Sequence, residues 1–226
     1  MAPIRNNLSL AKDKFMTDNL LEMEIGRPLG PLLAKFTLSD RLIEYLNEKL
    51  QSVGEDLADY SDNLVGKVSG ELKFTDDMTR AVLEEIQPYI VKYHLTYFPQ
   101  DKRFESLNVS CTAAWFVRQF NGEYNPIHVH NGCTISCVGY LALPEGIEKE
   151  FEEDGNDHHP ANGQIEFAYG TSAAAYTSGT LRKVPKVGDF YVFPNGLWHT
   201  VYPFTTIGER RSFSMNITVT LPEGVK

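Results

Sequence analysis

The sequence predicts a mainly β protein with N-terminal helices, its second half folded as an antiparallel sandwich or jelly roll. Three observations carry this reading. The hydrophobic period changes from helical to alternating near residue 107. Beyond that point several short strand-like runs follow one another with no helical crossover between them. A complement of 13 Phe and 11 Tyr in 226 residues suits a β-rich core.

Taken in order, residues 1 to about 36 read as mixed, with Pro28 and Pro31 breaking regular structure. A first helix starts after Ser39, a natural N-cap, with Asp40 in its first turn. Leu42, Ile43, Leu46 and Leu50 recur at helical spacing, and Gly54 ends it. Glu55 to Leu72 is polar and aperiodic. A second helix opens at Thr75 with Asp76 and Asp77 in its first turn. Met78, Val82, Leu83, Ile86 and Ile90 form its stripe, and Pro88 is expected to kink or interrupt it. Strands are then expected over Asn108–Phe120, Thr134–Leu143, Gln164–Phe167, Phe190–Phe193, Leu197–Tyr202 and Arg210–Thr220. Glu145 to Asn162, rich in acids, Gly and His, reads as a mobile loop between two strands, with His158 and His159 solvated or part of a lid. The whole is read as a single domain, 1–226, with a mostly helical extension over 1–106 and a β core over 107–220.

Bulk properties narrow the function. A net charge of −9 argues against nucleic acid as a general partner, because phosphate binding needs a basic surface. No apolar run approaches the roughly 20 residues that cross a bilayer, and the first residues lead into no apolar signal segment. Cys111, Cys133 and Cys137 show no CxxC spacing and read as free thiols in a reducing, cytoplasmic setting. The oligomeric state is not legible.

One constellation carries chemistry. In Asn125-Pro126-Ile127-His128-Val129-His130, period-2 geometry puts His128 and His130 on one face of an extended segment. His199 follows about 70 residues later, in a strand. Imidazole suits Fe(II), Zn(II) or Cu(II), and three ligands on one face leave coordination positions open. The last strand alternates strictly. Arg210, Ser212, Ser214, Asn216, Thr218 and Thr220 share one face, and Phe213, Met215, Ile217 and Val219 share the other. The first row is either a solvent-facing edge or a carboxylate-binding wall headed by Arg210, with Arg211 in the apolar register. Thr134, Ser136 and Tyr140 share a face on an earlier strand, so Tyr140 can meet the same carboxylate. Trp198 reads mainly as core packing. Trp115, Arg118, Trp198 and Asn216 are the remaining candidates for contact with substrate or support of the site.

These segments together resemble the iron(II)- and 2-oxoglutarate-dependent dioxygenases, in a microbial and phage branch related to the prolyl hydroxylases. The resemblance runs over about 107–220. It rests on Trp115, Asn125 to His130, Val138-Gly-Tyr-Leu141, Val187 to Pro194, Leu197-Trp-His199 and Arg210 to Asn216, with Ser61-Asp62-Asn63 similar to that branch's N-terminal part. It implies a double-stranded β-helix core, and Fe(II), 2-oxoglutarate and O2 as cofactor and co-substrates. His128 and His199 match the family's two metal histidines. His130 stands where most members carry a carboxylate, and either ligates in its place or stands behind a water ligand. Arg210 with Ser212 and Tyr140 match the residues that hold the far carboxylate of 2-oxoglutarate. The implied reaction is hydroxylation of a peptidyl, prolyl-like or small-molecule substrate with release of succinate and CO2. Two other readings compete: a cupin-type three-histidine enzyme that needs no 2-oxoglutarate, and a jelly-roll binding module without catalysis.

Overall fold

Both expected N-caps form. The Ser39 hydroxyl accepts the Leu42 backbone N–H at 3.2 Å, and the Thr75 hydroxyl accepts that of Met78 at 3.3 Å. They open α1 (Asp40–Val53) and α2 (Asp76–Tyr97), and Gly54 is the C-cap of α1. The structure is a computed structural model and describes residues 4–5, 23–26, 30–99, 107–152, 161–170 and 179–220. Pro88 does not interrupt α2, which runs unbroken through it. A proline inside a helix costs about 3 kcal/mol. Met78, Val82, Leu83, Ile86 and Ile90 are all buried, and each such side chain returns roughly 1.5–3 kcal/mol.

The strands are β1 (Ile4–Arg5), β2 (Glu24–Gly26), β3 (Leu33–Thr37), β4 (Gly70–Lys73), β5 (Asn108–Gln119) and β6 (Asn125–His128). They continue as β7 (Ile135–Ala142), β8 (Ile165–Ala168), β9 (Thr180–Lys183), β10 (Asp189–Pro194), β11 (Trp198–Val201) and β12 (Arg210–Thr220). All six expected strands are present, with ends shifted by at most two residues. Two regions expected to be irregular also supply strands. β3 pairs with β10 from Thr37↔Asp189 to Ala34↔Val192, and β4 pairs with β5 from Gly70↔Arg118 to Lys73↔Trp115. Asp189, which follows Gly188 at the start of β10, is buried and pairs with Lys35 at 2.8 Å.

Pairing is antiparallel throughout and gives two sheets. The larger runs β1-β5-β12-β7-β10-β3-β2 with β4 also on β5, and the smaller runs β6-β11-β8-β9. This is the double-stranded β-helix arrangement, a jelly roll with N-terminal helices. Alternation sorts the side chains into layers. Phe36, Phe116, Phe190, Phe213, Met215 and Ile217 leave one face of the large sheet and pack with Leu42, Leu46, Leu50 and the α2 stripe. Leu33, Val138, Tyr140 and Tyr191 leave the other face and meet Ile165, Phe167, Leu197 and Val201 of the small sheet side. The polar row of β12 therefore faces a polar cavity between the sheets from Arg210 to Asn216, while its far end at Thr220 is exposed. Of the acidic stretch at 145–162, the described start is anchored. Ile147 is buried, and both Glu150 oxygens accept the Thr205 backbone N–H at 2.9 Å. Residues 153–160, with His158 and His159, lie outside the described residues.

Candidate active site

The small sheet brings two histidines face to face. β6 and β11 are neighbours, and His128 is the cross-strand partner of His199. His130 lies just past the end of β6, in a turn held on both edges. Its N–H donates to the Asn195 carbonyl at 3.0 Å, and Asn195 Nδ2 donates to the His130 carbonyl at 3.0 Å. The rings of His128 and His199 are fixed in the same way, each Nδ1–H donating to the carbonyl two residues back. The distances are 2.6 Å to Pro126 and 2.9 Å to Leu197. Both rings are thereby left with Nε2 as a free lone pair, the usual device for orienting a metal-binding imidazole.

The three rings offer one ligand nitrogen each, all within 4.8 Å of one another, and Nε2 of His130 is 3.2 Å from Nε2 of His199. Two nitrogens about 2.1 Å from one ion and at right angles are about 3 Å apart. Burial, reinforced by the His128 charge, pushes His130 down to about 4 and His199 down to about 3. His128 is lowered by burial, opposed by its bond to Pro126. All three are neutral at neutral pH, the state in which imidazole ligates.

Beside the histidines, the large sheet supplies a cation. Arg210 is 1% exposed. Its Nη1 donates to the Gly163 carbonyl at 2.7 Å and its Nη2 to the Gln119 side-chain oxygen, while Nε has no partner. Among the described residues no carboxylate pairs with it. Ser212 is opposite Tyr140 across β12 and β7, and the Tyr140 hydroxyl is buried and also unpartnered. Burial pushes Tyr140 up to about 12 against the pull of Arg210, so it stays protonated and can donate. A buried cation with an orphaned N–H and an orphaned O–H beside it is poised for an anion.

The histidines, Arg210, Ser212, Tyr140, Ser214 and Asn216 all line one cavity of about 410 Å³. Trp115 lines it too, buried and stacked on His130 with ring centroids 5.9 Å apart. Asn216 Oδ1 is buried next to the His130 ring. Two other candidates lie elsewhere. Arg118 points to the opposite face of β5 and pairs with Glu209 at 2.6 Å. Trp198 is half exposed, neither in the core nor in the cavity, because its inward-facing neighbour is His199. Gln119 is a site residue that sequence reasoning missed. It shares strand parity with Trp115, and that signal could have found it. Glu71, Tyr60, Asn63 and Asn125 also line the cavity, and the segment holding the first three shows no periodicity.

A jelly roll with three imidazoles and a buried arginine in one cavity defines a metal-dependent enzyme that takes an anionic co-substrate. Residues 113–216, which carry the three histidines and the Arg210 clamp, match the family described as "Putative 2OG-Fe(II) oxygenase". The match spans somewhat less than half of the chain, and over it the chain is similar to the 2-oxoglutarate- and iron(II)-dependent oxygenases, whose cofactor and co-substrates are Fe(II), 2-oxoglutarate and O2. Solved structures share the fold. A prolyl-4-hydroxylase from Pseudomonas putida is 15% identical, with TM-score 0.51, over 82% of this chain and 91% of that one. A prolyl hydroxylase from Trichoplax adhaerens, in complex with a hypoxia inducible factor peptide fragment, is 11% identical with TM-score 0.50, over 87% and 83%. The epimerase SnoN of nogalamycin biosynthesis is 11% identical with TM-score 0.54, over 85% and 80%. No curated protein matches the chain. The residues present fit the groups the family uses: neutral, pre-oriented imidazoles for the metal and unpartnered donors for a carboxylate. No helix among the described residues is long and apolar enough to cross a membrane.

Proposed function

We propose that the protein hydroxylates a peptidyl, prolyl-like or small-molecule substrate, with release of succinate and CO2. The observation that carries this is the shared cavity: three neutral imidazoles, two on the small sheet and one just past its β6, and on the large sheet a buried Arg210 that pairs with no carboxylate among the described residues. In this reading His128, His130 and His199 hold the iron, and His130 takes the place of the usual carboxylate. Arg210, Ser212 and Tyr140 hold the far carboxylate of 2-oxoglutarate, with Tyr140 donating its O–H. Gln119 and Gly163 fix the guanidinium plane. Trp115 packs on His130 and keeps water from that side of the metal position. When bound, iron with 2-oxoglutarate and O2 supplies the oxidising chemistry, and the chain orients its participants. Two of the similar structures are prolyl hydroxylases and a third is an epimerase of a biosynthetic route, so both peptide and small-molecule substrates suit this fold.

The test is anaerobic titration of the Fe(II)-loaded protein with 2-oxoglutarate, followed by admission of air and assay of succinate. One metal per chain, 2-oxoglutarate binding and slow succinate formation are expected. Metal binding without 2-oxoglutarate binding would instead favour a cupin-type enzyme, and binding of neither a non-catalytic module.

A further inference from the structure

The cavity has a second buried ionisable side chain that this scheme does not use. Among the described residues lining it, Arg210 is the one strongly basic side chain and Glu71 the one acidic side chain. Glu71 is 3% exposed, and among the described residues no donor or cation pairs with its side chain. Burial, reinforced by the acid Asp59, pushes its carboxyl up to about 7, so a bound cation would favour its ionised form. A buried carboxylate with neither counter-ion nor hydrogen bond is costly, and such groups mark places where a ligand completes the pairing.

Its position is set by the sheet. Glu71 pairs with Val117 across β4 and β5, Val117 with Ser212, and Ser212 with Tyr140. The four residues form one row of side chains along the cavity wall. At about 4.8 Å per strand, Glu71 lies about 10 Å from Ser212 and about 14 Å from Tyr140 along the backbone. The row thus has an anion-binding end and an acidic end, with the histidines opposite. The carboxylate is seated on a glycine. A Cβ on Gly66 would lie 2.5 Å from Glu71 Oε1 and 2.7 Å from Asn125 Oδ1, so two acceptor oxygens converge there. Beside them stand Tyr60 and Trp115, tilted at 5.6 Å between ring centroids, both lining the cavity. A carboxylate, an amide oxygen and two aromatic rings form a receptor for an alkylammonium group.

We infer that Glu71 selects the substrate, and that the site takes a protonated amine, which Glu71 receives while Arg210 holds 2-oxoglutarate. The inference rests on the oxygenase reading above. The amine belongs either to a free small molecule or to a lysyl side chain of a peptide. An internal prolyl residue has no N–H to offer and leaves Glu71 unpaired.

The experiment uses anaerobic protein loaded with Fe(II) and 2-oxoglutarate. Two ammonium probes, n-butylammonium and a capped Gly-Lys-Gly peptide, are titrated against neutral counterparts, n-pentanol and capped Gly-norleucine-Gly. At least one ammonium probe is expected to bind about tenfold or more tighter than its counterpart. That preference is expected to vanish in Glu71→Gln and in Gly66→Ala, which displaces the carboxylate without removing it. Which probe wins tells the free amine from the lysyl side chain. Equal binding of charged and neutral probes, or a preference that survives in Glu71→Gln, overturns the assignment. The 2-oxoglutarate titration separates the two failures. If the wild type binds 2-oxoglutarate and shows no ammonium preference, only the role of Glu71 falls. If it binds no 2-oxoglutarate, the oxygenase reading falls and this one with it.

Discussion

Arg210 and Arg211 are chemically identical neighbours, and strand parity gives them opposite surroundings. Arg210 is buried without a carboxylate, whereas Arg211 pairs with Glu209 at 2.9 Å on the helix side and reaches Asn47. Arg210→Ala is expected to weaken 2-oxoglutarate by about 2–5 kcal/mol in calorimetry. Arg211→Ala is expected to leave it nearly unchanged, and the reverse order would sink the register argument. The histidines make a pH prediction. Folded values of about 4 for His130 and about 3 for His199 lie below the unfolded value of 6.5. The stability of the metal-free protein is therefore complete above about pH 6.5 and falls as pH drops toward 4 and 3. Urea midpoints measured from pH 7.5 to 4 check this; a flat profile would mean the rings are not buried neutral. At this scale the sequence told most of the story, because alternation is local. His128, His199, Arg210, Ser212 and Tyr140 all sit where parity put them. Arg118, which the sequence left open between the site and the surface, is turned outward by the same parity counted from Trp115.

Among the elements, β7 is the most tightly constrained. Its Gly139 lies across from Phe213 on β12 and Phe190 on β10. A Cβ there would enter the Phe213 ring and come within 3.0 Å of Phe190. Gly139→Ala should cost about 1–3 kcal/mol through overpacking, read as a lower urea midpoint. No change would mean that the ring has room to retreat. The same scale shows what sequence could not tell. β3 and β4 are five and four residues long, and their partners are β10 and β5, far away in the chain. Such strands exist because a distant edge accepts them, and local propensity holds no record of that edge. The helix through Pro88 is a like case, since burial along α2 outweighs a local breaker.

For the whole molecule, the division of labour between the sheets matters most. His128 and His199 stand on the small sheet, and Arg210 and Tyr140 on the large one. Removing metal and 2-oxoglutarate should lower the melting temperature, since a ligand at a hundred times its Kd adds about 2.7 kcal/mol. Backbone hydrogen exchange should locate the effect. β6, β11, β8 and β9 are expected to exchange faster in the stripped protein, with β5, β12 and β7 little changed because α1 and α2 back them. Uniform slowing of both sheets on loading would contradict this. In the proposed reading, a co-substrate held by the metal site at one end and by Arg210 at the other would be a strut across the sandwich. Succinate is one carbon shorter, because C1 leaves as CO2 and the keto carbon becomes its new carboxylate, so it spans the gap poorly. Each turnover would then knock out the strut, and the enzyme would open its own small sheet at the moment when product has to leave.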